Sequence, residues 1–187
     1  MEAGVYTKEE IRNFARKLRK LLKFKNPATI NKLENIVKTL GGEIIFSDED
    51  LENYAEAKIV KIDDEEKKFR IIVTDKDFLP KERKVFSIAH ELGHLFLHMG
   101  YIINEEKWNN INDFFDFYYR RDKNYIEYEA NEFAGEFLMP EDEFKKIAYE
   151  NFDEDENAFY IEPIANYFGV SKKAVITRGK FLGLFEW

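Results

Sequence analysis

The sequence predicts an α+β fold in which helices surround one small, antiparallel-type β-sheet. Three observations carry this expectation. Apolar residues recur at helical spacing over residues 7–24, 83–99 and 125–139, as in helices that bury one face. Between the first two of these lie three short segments, 43–46, 57–62 and 68–73, rich in β-branched and aromatic residues. The 187-residue chain is 44% hydrophobic, enough to bury a core.

In the first helix Thr7 is placed as N-cap and Glu10 completes a capping box. Ile11, Phe14, Ala15, Leu18, Leu21 and Leu22 form its apolar stripe. Asn26-Pro27 predicts a second helix start with proline in the first turn. That helix carries Ile30, Leu33, Ile36, Val37 and Leu40 and stops at Gly41-Gly42. Strands follow, the last two joined across Asp63-Asp64-Glu65-Glu66 as a hairpin. In residues 83–99, Val85, Ile88, Ala89, Leu92, Leu95, Phe96 and Met99 make one stripe, and Ser87, His90, Glu91, His94 and His98 lie alongside it. Residues 100–125 are irregular, and Trp108, Phe114, Phe115, Phe117, Tyr118 and Tyr119 suit a lid, a docking surface or a cover for the core. A helix from about Tyr125 to Met139 ends at Pro140, and a short one spans 141–150. Asp153 to Asn157 reads as an acidic linker. Ile161–Phe168 and Lys172–Leu182 read as helix–turn–helix, with Ser171 as N-cap. The expected organisation is one domain over residues 1–150 and a helical segment over 151–187 packed on it.

Composition limits the chemistry. The chain has no Cys, which excludes disulfides, thiolate metal sites and thiol nucleophiles. It has three His, at 90, 94 and 98. A net charge of −8 argues against broad nucleic-acid or anionic-membrane binding. The N-terminal residues lack a signal-peptide pattern and no apolar run is long enough for a membrane span, so the expected location is the cytoplasm.

His90-Glu91-Leu92-Gly93-His94 is an HExxH pattern set in a helical period. Two His at i and i+4 share a face, so both imidazoles reach one zinc ion at about 2.1 Å. Glu91 is rotated by about 100° from His90, beside the metal and not on it, where it can move a proton as general acid and base. A third protein ligand is needed. His98 lies about 6 Å further along a helix and about 40° further round, which puts it out of reach of the same ion. With no further His and no Cys, a carboxylate is required. Residues 126–134 offer it: Glu127 pairs with Asn131 at i, i+4 beside the core stripe, so Glu127 can ligate while Asn131 hydrogen-bonds a ligating His. Glu129 is the rival.

Arg83-Lys-Val-Phe-Ser-Ile-Ala-His90-Glu-Leu-Gly-His94-Leu-Phe-Leu-His98, followed by Glu127-Tyr-Glu-Ala-Asn131-Glu-Phe-Ala-Gly-Glu-Phe-Leu-Met-Pro140, resembles the ImmA/IrrE family of zinc metallopeptidases. Ser87 stands where the family usually has Thr, and Phe137 where it has Leu. The resemblance runs over roughly residues 30–185. It implies a minimal zincin-like metallopeptidase core, with His90, His94 and Glu127 as zinc ligands and Glu91 as catalytic acid and base. It also implies cleavage of a partner helix-turn-helix transcriptional repressor, which relieves repression. Tyr125, Tyr128 and His98 lie near enough in sequence to supply an oxyanion donor.

Two other readings compete. Lys172, Lys173, Arg178 and Lys180 would give a recognition helix its positive charge; packing of Val170, Ala174, Val175, Phe181 and Leu182 on the core would argue against direct DNA binding. A zinc-containing regulatory or toxin module could bind a repressor without cutting it, against which the intact Glu91 speaks.

Overall fold

The computed structural model describes residues 6–48, 51, 55–62, 66–76, 79–111 and 123–186. The chain runs through α1 (Lys8–Leu21), α2 (Ile30–Thr39), β1 (Gly42–Ser47), β2 (Ala57–Lys61), β3 (Phe69–Thr74), α3 (Lys81–Gly93), a π-helical turn (His94–His98) and α4 (Glu105–Asn110). It continues through α5 (Lys123–Leu138), α6 (Glu141–Glu150), β4 (Phe152–Asp153), β5 (Ala158–Phe159), α7 (Ile161–Phe168) and α8 (Lys172–Phe181).

The α+β class holds, and the pairing within the sheet is mixed. Strand order is β1-β3-β2; β2 runs antiparallel to β3, with Ile59 opposite Ile71, but β1 runs parallel to β3, with Gly42 opposite Phe69. The β2–β3 reversal inserts β3 between its neighbours, so β3 points the same way as β1. The expected turn at Asp63–Glu66 falls for residues 63–65 outside the described residues. Ile59, Phe69, Ile71 and Val73 are fully or almost fully buried, which seats the sheet on the helices.

Local chemistry sets the helix ends. Thr7 and Glu10 form the capping box: the Thr7 hydroxyl accepts from the Glu10 N–H at 3.3 Å, and the Glu10 carboxylate accepts from the Thr7 N–H at 2.8 Å. Ile11, Ala15 and Leu18 are buried, whereas Leu21, expected in the stripe, is exposed. The second helix starts at Ile30 and not at Pro27, because Thr29 supplies the side-chain acceptor, for the Lys32 N–H. It ends where Gly41 takes φ +81°, a conformation that glycine adopts without a steric cost.

α5 packs against both α3 and α1. Its Ala130, Phe133, Ala134 and Phe137 are completely buried. Phe133 stacks on Phe137 and meets Phe14 of α1 and Phe96 of the π-turn. Trp108 of the aromatic segment packs edge-on against Tyr101 at 4.7 Å, over the core; Phe114, Phe115, Phe117, Tyr118 and Tyr119 lie outside the described residues.

The expected acidic linker is a tight hairpin of β4 and β5. Asp153 closes it by accepting from the N–H groups of Asp155 and Glu156, each at 3.0 Å. Ser171 caps α8, accepting from the Ala174 N–H. Val170 and Val175 are buried as expected, but Phe181 is exposed. Arg178 is turned inward: its Nε donates to the Met139 carbonyl at 3.1 Å, Nη1 to Glu132 at 3.2 Å, and Nη2 to Glu136. Arg12 of α1 shares Glu132 at 2.5 Å and reaches Glu141 at 2.7 Å, while Arg16 reaches Glu136 at 2.9 Å. A buried charge network thus joins α1, α5, α6 and α8. Among the described residues no helix is long and apolar enough to cross a membrane.

Candidate metal centre

Helix α3 presents His90, the first residue of the π-turn presents His94 one turn further on, and α5 presents Glu127 opposite them. Close approach of the two helices makes this possible. Gly93 sits where they meet, and a Cβ there would lie 3.0 Å from Cα and 3.1 Å from the carbonyl oxygen of Ala130, so the helices could not be this close with a larger residue. Nε2 of His90 and Nε2 of His94 are 2.9 Å apart. The Glu127 carboxylate oxygens lie 3.3 Å from the first and 3.4 Å from the second. One ligand atom from each of these three residues falls within 4.8 Å of the others.

This donor set suits a divalent cation. A tetrahedral ion with bonds of about 2.0–2.1 Å holds its ligand atoms about 3.3 Å apart, close to the edges seen here. Two imidazoles and a carboxylate are a zinc-type set that leaves a fourth position open. Asn131, one turn after Glu127, sits with Oδ1 3.0 Å from Nδ1 of His90. A carbonyl oxygen only accepts, so Nδ1 carries the proton and Nε2 is left with its lone pair toward the cluster.

Electrostatics separates the carboxylates. Burial holds the Glu91 carboxyl up to about 7, with the nearby Glu127 charge adding to it, while the charge on His90 and an N–H donated by Ile59 of β2 oppose this. Against its burial, Glu127 is held far below the usual carboxylate range by the imidazoles of His90 and His94 that face it. Burial pushes His94 down to about 3, so its imidazole is neutral. On His90 the burial penalty is outweighed by Glu127 and Glu91, and the ring is raised.

Each residue singled out from the sequence has a definite place. His90, His94 and Glu127 converge, Asn131 backs His90, and Glu91 is buried beside them, touching β2. Glu129 stands apart from the cluster, accepting from the Tyr6 N–H at 2.9 Å and pairing with His98 at 2.9 Å. His98 is buried, at 2% exposed. The chain there runs in the π-turn. Its hydrogen bond from the Met99 N–H to the His94 carbonyl spans five residues, so four residues fall short of a full turn and His98 folds back beneath His94. The Tyr125 hydroxyl donates to the Tyr6 carbonyl at 3.2 Å, and the half-exposed Tyr128 lines a neighbouring cleft.

That cleft, of about 560 Å³, is lined in part by Arg83, Phe86, Ser87, Tyr128 and Asn131 and runs toward α8. Glu56, just before β2, braces its wall by accepting from Ser87 Oγ at 3.1 Å and from Arg83. Sequence reasoning does not find Glu56, because nothing in the spacing of residues 56 and 87 brings a strand end to a helix.

Residues 38–179 match the profile of the family Peptidase_M78, described as the IrrE N-terminal-like domain. No curated protein sequence matches the chain. A solved structure with a similar fold is a Mycobacterium tuberculosis transcriptional regulator, at a TM-score of 0.59 and 17% identity. The superposition covers 91% of this chain and 46% of the regulator, so the present chain corresponds to about half the length of that protein. Such low identity speaks for shared fold alone. The sequence match, which spans well over half of the residues and contains the whole His–Glu cluster, places this chain in the family of IrrE N-terminal-like domains.

Proposed function

We propose that this chain is a zinc-dependent endopeptidase in which His90, His94 and Glu127 hold the metal, Asn131 orients His90, and Glu91 moves the proton. The observation that carries this reading is the convergence of three ligand atoms within 4.8 Å beside a buried carboxyl held near neutrality. When bound, zinc supplies a Lewis acid that polarises the scissile carbonyl. Glu91, with a pKa of about 7, is suited to both halves of the proton transfer. As a carboxylate it takes a proton from the attacking water while the water oxygen bonds to the carbonyl carbon. As an acid it returns that proton to the departing nitrogen as the C–N bond breaks. The cleft lined by Ser87, Tyr128 and Asn131 gives a peptide room beside these groups.

For substrate, we propose a helix-turn-helix repressor cleaved in the cytoplasm, as the family resemblance implies; the similar fold of a transcriptional regulator is in keeping with a regulatory setting. Residues 151–187 serve in this reading as part of the peptidase body, since Arg178 is committed to Glu132 and Glu136 and not to DNA phosphates.

The test is Glu91→Gln in the zinc-loaded protein, with the repressor encoded nearest the gene as substrate. Cleavage should fall by at least about 100-fold, the scale of a lost acid–base group, while bound zinc stays stoichiometric. Glu127→Gln should lose most of the zinc as well. Wild-type release of repression by Glu91→Gln would overturn proteolysis in favour of a module that binds without cutting.

A further inference from the structure

A chain of buried hydrogen bonds lies behind His94 that the acid–base reaction does not use. Nδ1 of His94 is 2.9 Å from Nδ1 of His98, and Nε2 of His98 is 2.9 Å from Oε2 of Glu129. The other Glu129 oxygen accepts the Tyr6 N–H at 2.9 Å. His94, His98 and Glu129 are 3%, 2% and 4% exposed, so water does not compete for these bonds.

The chemistry of the donors gives the chain one direction. A carboxylate has only acceptors, so Nε2 of His98 carries the proton toward Glu129. A neutral imidazole with Nε2 protonated has a lone pair on Nδ1. The facing Nδ1 of His94 must then be the donor, because two bare nitrogens with no cation between them would repel at this distance. His94 is left with an unprotonated Nε2, the atom 3.4 Å from Glu127 in the ligand cluster. Asn131 does the same for His90 directly, with a single amide oxygen.

We infer that His98 and Glu129 are positioning residues for the metal: they lock His94 in the ligating tautomer and hold its ring, through an imidazole inserted between ligand and carboxylate. The inference rests on the metal-site reading above. His98 is the last residue of the π-turn, so the chain of bonds starts where the backbone departs from α-helical pairing. The segment before α1 is drawn in as well, because the Tyr6 N–H holds the carboxylate at its far end.

The test compares zinc affinity, by competition with a chromophoric chelator, in the wild type, His98→Phe and His98→Asn. Phe fills the space but offers no acceptor. Asn is smaller but places an amide oxygen where Nδ1 of His98 stands. Positioning requires His98→Phe to bind zinc about 10–100-fold more weakly, and His98→Asn to recover most of that loss. A purely packing role requires the opposite order, with Asn the worse substitute, and that order overturns the assignment, as does an unchanged affinity in His98→Phe. Should His98→Phe not fold, Glu129→Gln carries the test: a several-fold loss is expected, and wild-type affinity overturns the assignment. A wild-type chain that takes up no zinc overturns the metal site itself and this assignment with it. Tight wild-type binding with no loss in the variants overturns this assignment alone.

Discussion

Glu91 is a carboxylic acid with little water around it, and that has a measurable consequence apart from activity. Its folded pKa of about 7 lies above the ordinary 4.5, chiefly through burial and then through the Glu127 charge. The folded protein therefore keeps a proton that the unfolded chain releases, and the group contributes nothing unfavourable below about pH 4.5. As pH rises from 4.5 to 7 the folded state loses ground, by a total on the order of 3 kcal/mol. In the zinc-free protein, Glu91→Gln should thus be more stable than the wild type above pH 7. The gap in melting temperature should shrink steadily toward pH 4.5, and a gap that does not change with pH would mean an ordinary carboxylate at position 91. At this scale the pairing of His90 with His94 is legible in sequence because i, i+4 spacing is a property of the helix itself. The choice between Glu127 and Glu129 is harder, since both follow within one turn of α5. What separates them in space is the partner each meets: Glu127 faces His90 and His94, and Glu129 faces His98. The apolar stripe of residues 85–99 stays in register across the π-turn, so the side-chain pattern does not announce where the backbone changes its hydrogen bonds.

Helix α8 shows how one element can have two readings until its packing is known. Its basic residues suit a recognition helix by composition, yet Arg178 is 4% exposed and bonded to Glu132, Glu136 and the Met139 carbonyl. Removing one partner from a buried ion network leaves the others uncompensated, typically a loss of about 3–5 kcal/mol. Arg178→Ala should cost that much in urea denaturation, less whatever Arg12 and Arg16 recover for Glu132 and Glu136, whereas exposed Lys173→Ala should change stability by less than about 0.5 kcal/mol. Equal, small effects would return Arg178 to the solvent face and reopen the DNA reading. The element boundaries follow the same logic of local against distant causes. Thr7 with Glu10, Ser171, Gly41 and Pro140 act within a few residues, and the helices they bound are legible. The parallel pairing of β1 with β3 is not, because alternation tells which residues face the core and carries no strand direction. The Asp153–Asn157 segment looks like a linker by charge, but Asp153 spends its charge on the turn of a hairpin.

At the scale of the molecule, α5 ties the parts together. Glu127 and Asn131 face α3, while Glu132 and Glu136 engage α1 and α8. A metal held between α3 and α5 would have to be released before this unit comes apart, so the proposed zinc site predicts that zinc raises global stability. At free zinc about 100 times its dissociation constant the linkage contributes about 2.7 kcal/mol. For a domain of this size each kcal/mol moves the melting temperature by about 2–4 °C, which sums to a rise of about 5–11 °C on adding zinc. A chelator should reverse the rise, and Glu127→Gln should show little of it. The melt should also remain one transition, because the Arg178 network joins residues 151–187 to the same core that holds the ligands. Two transitions, with zinc shifting only the first, would mean that the C-terminal helices stand apart from the metal-bearing unit. A single transition indifferent to zinc would mean that the three ligand atoms converge without a metal to bridge them.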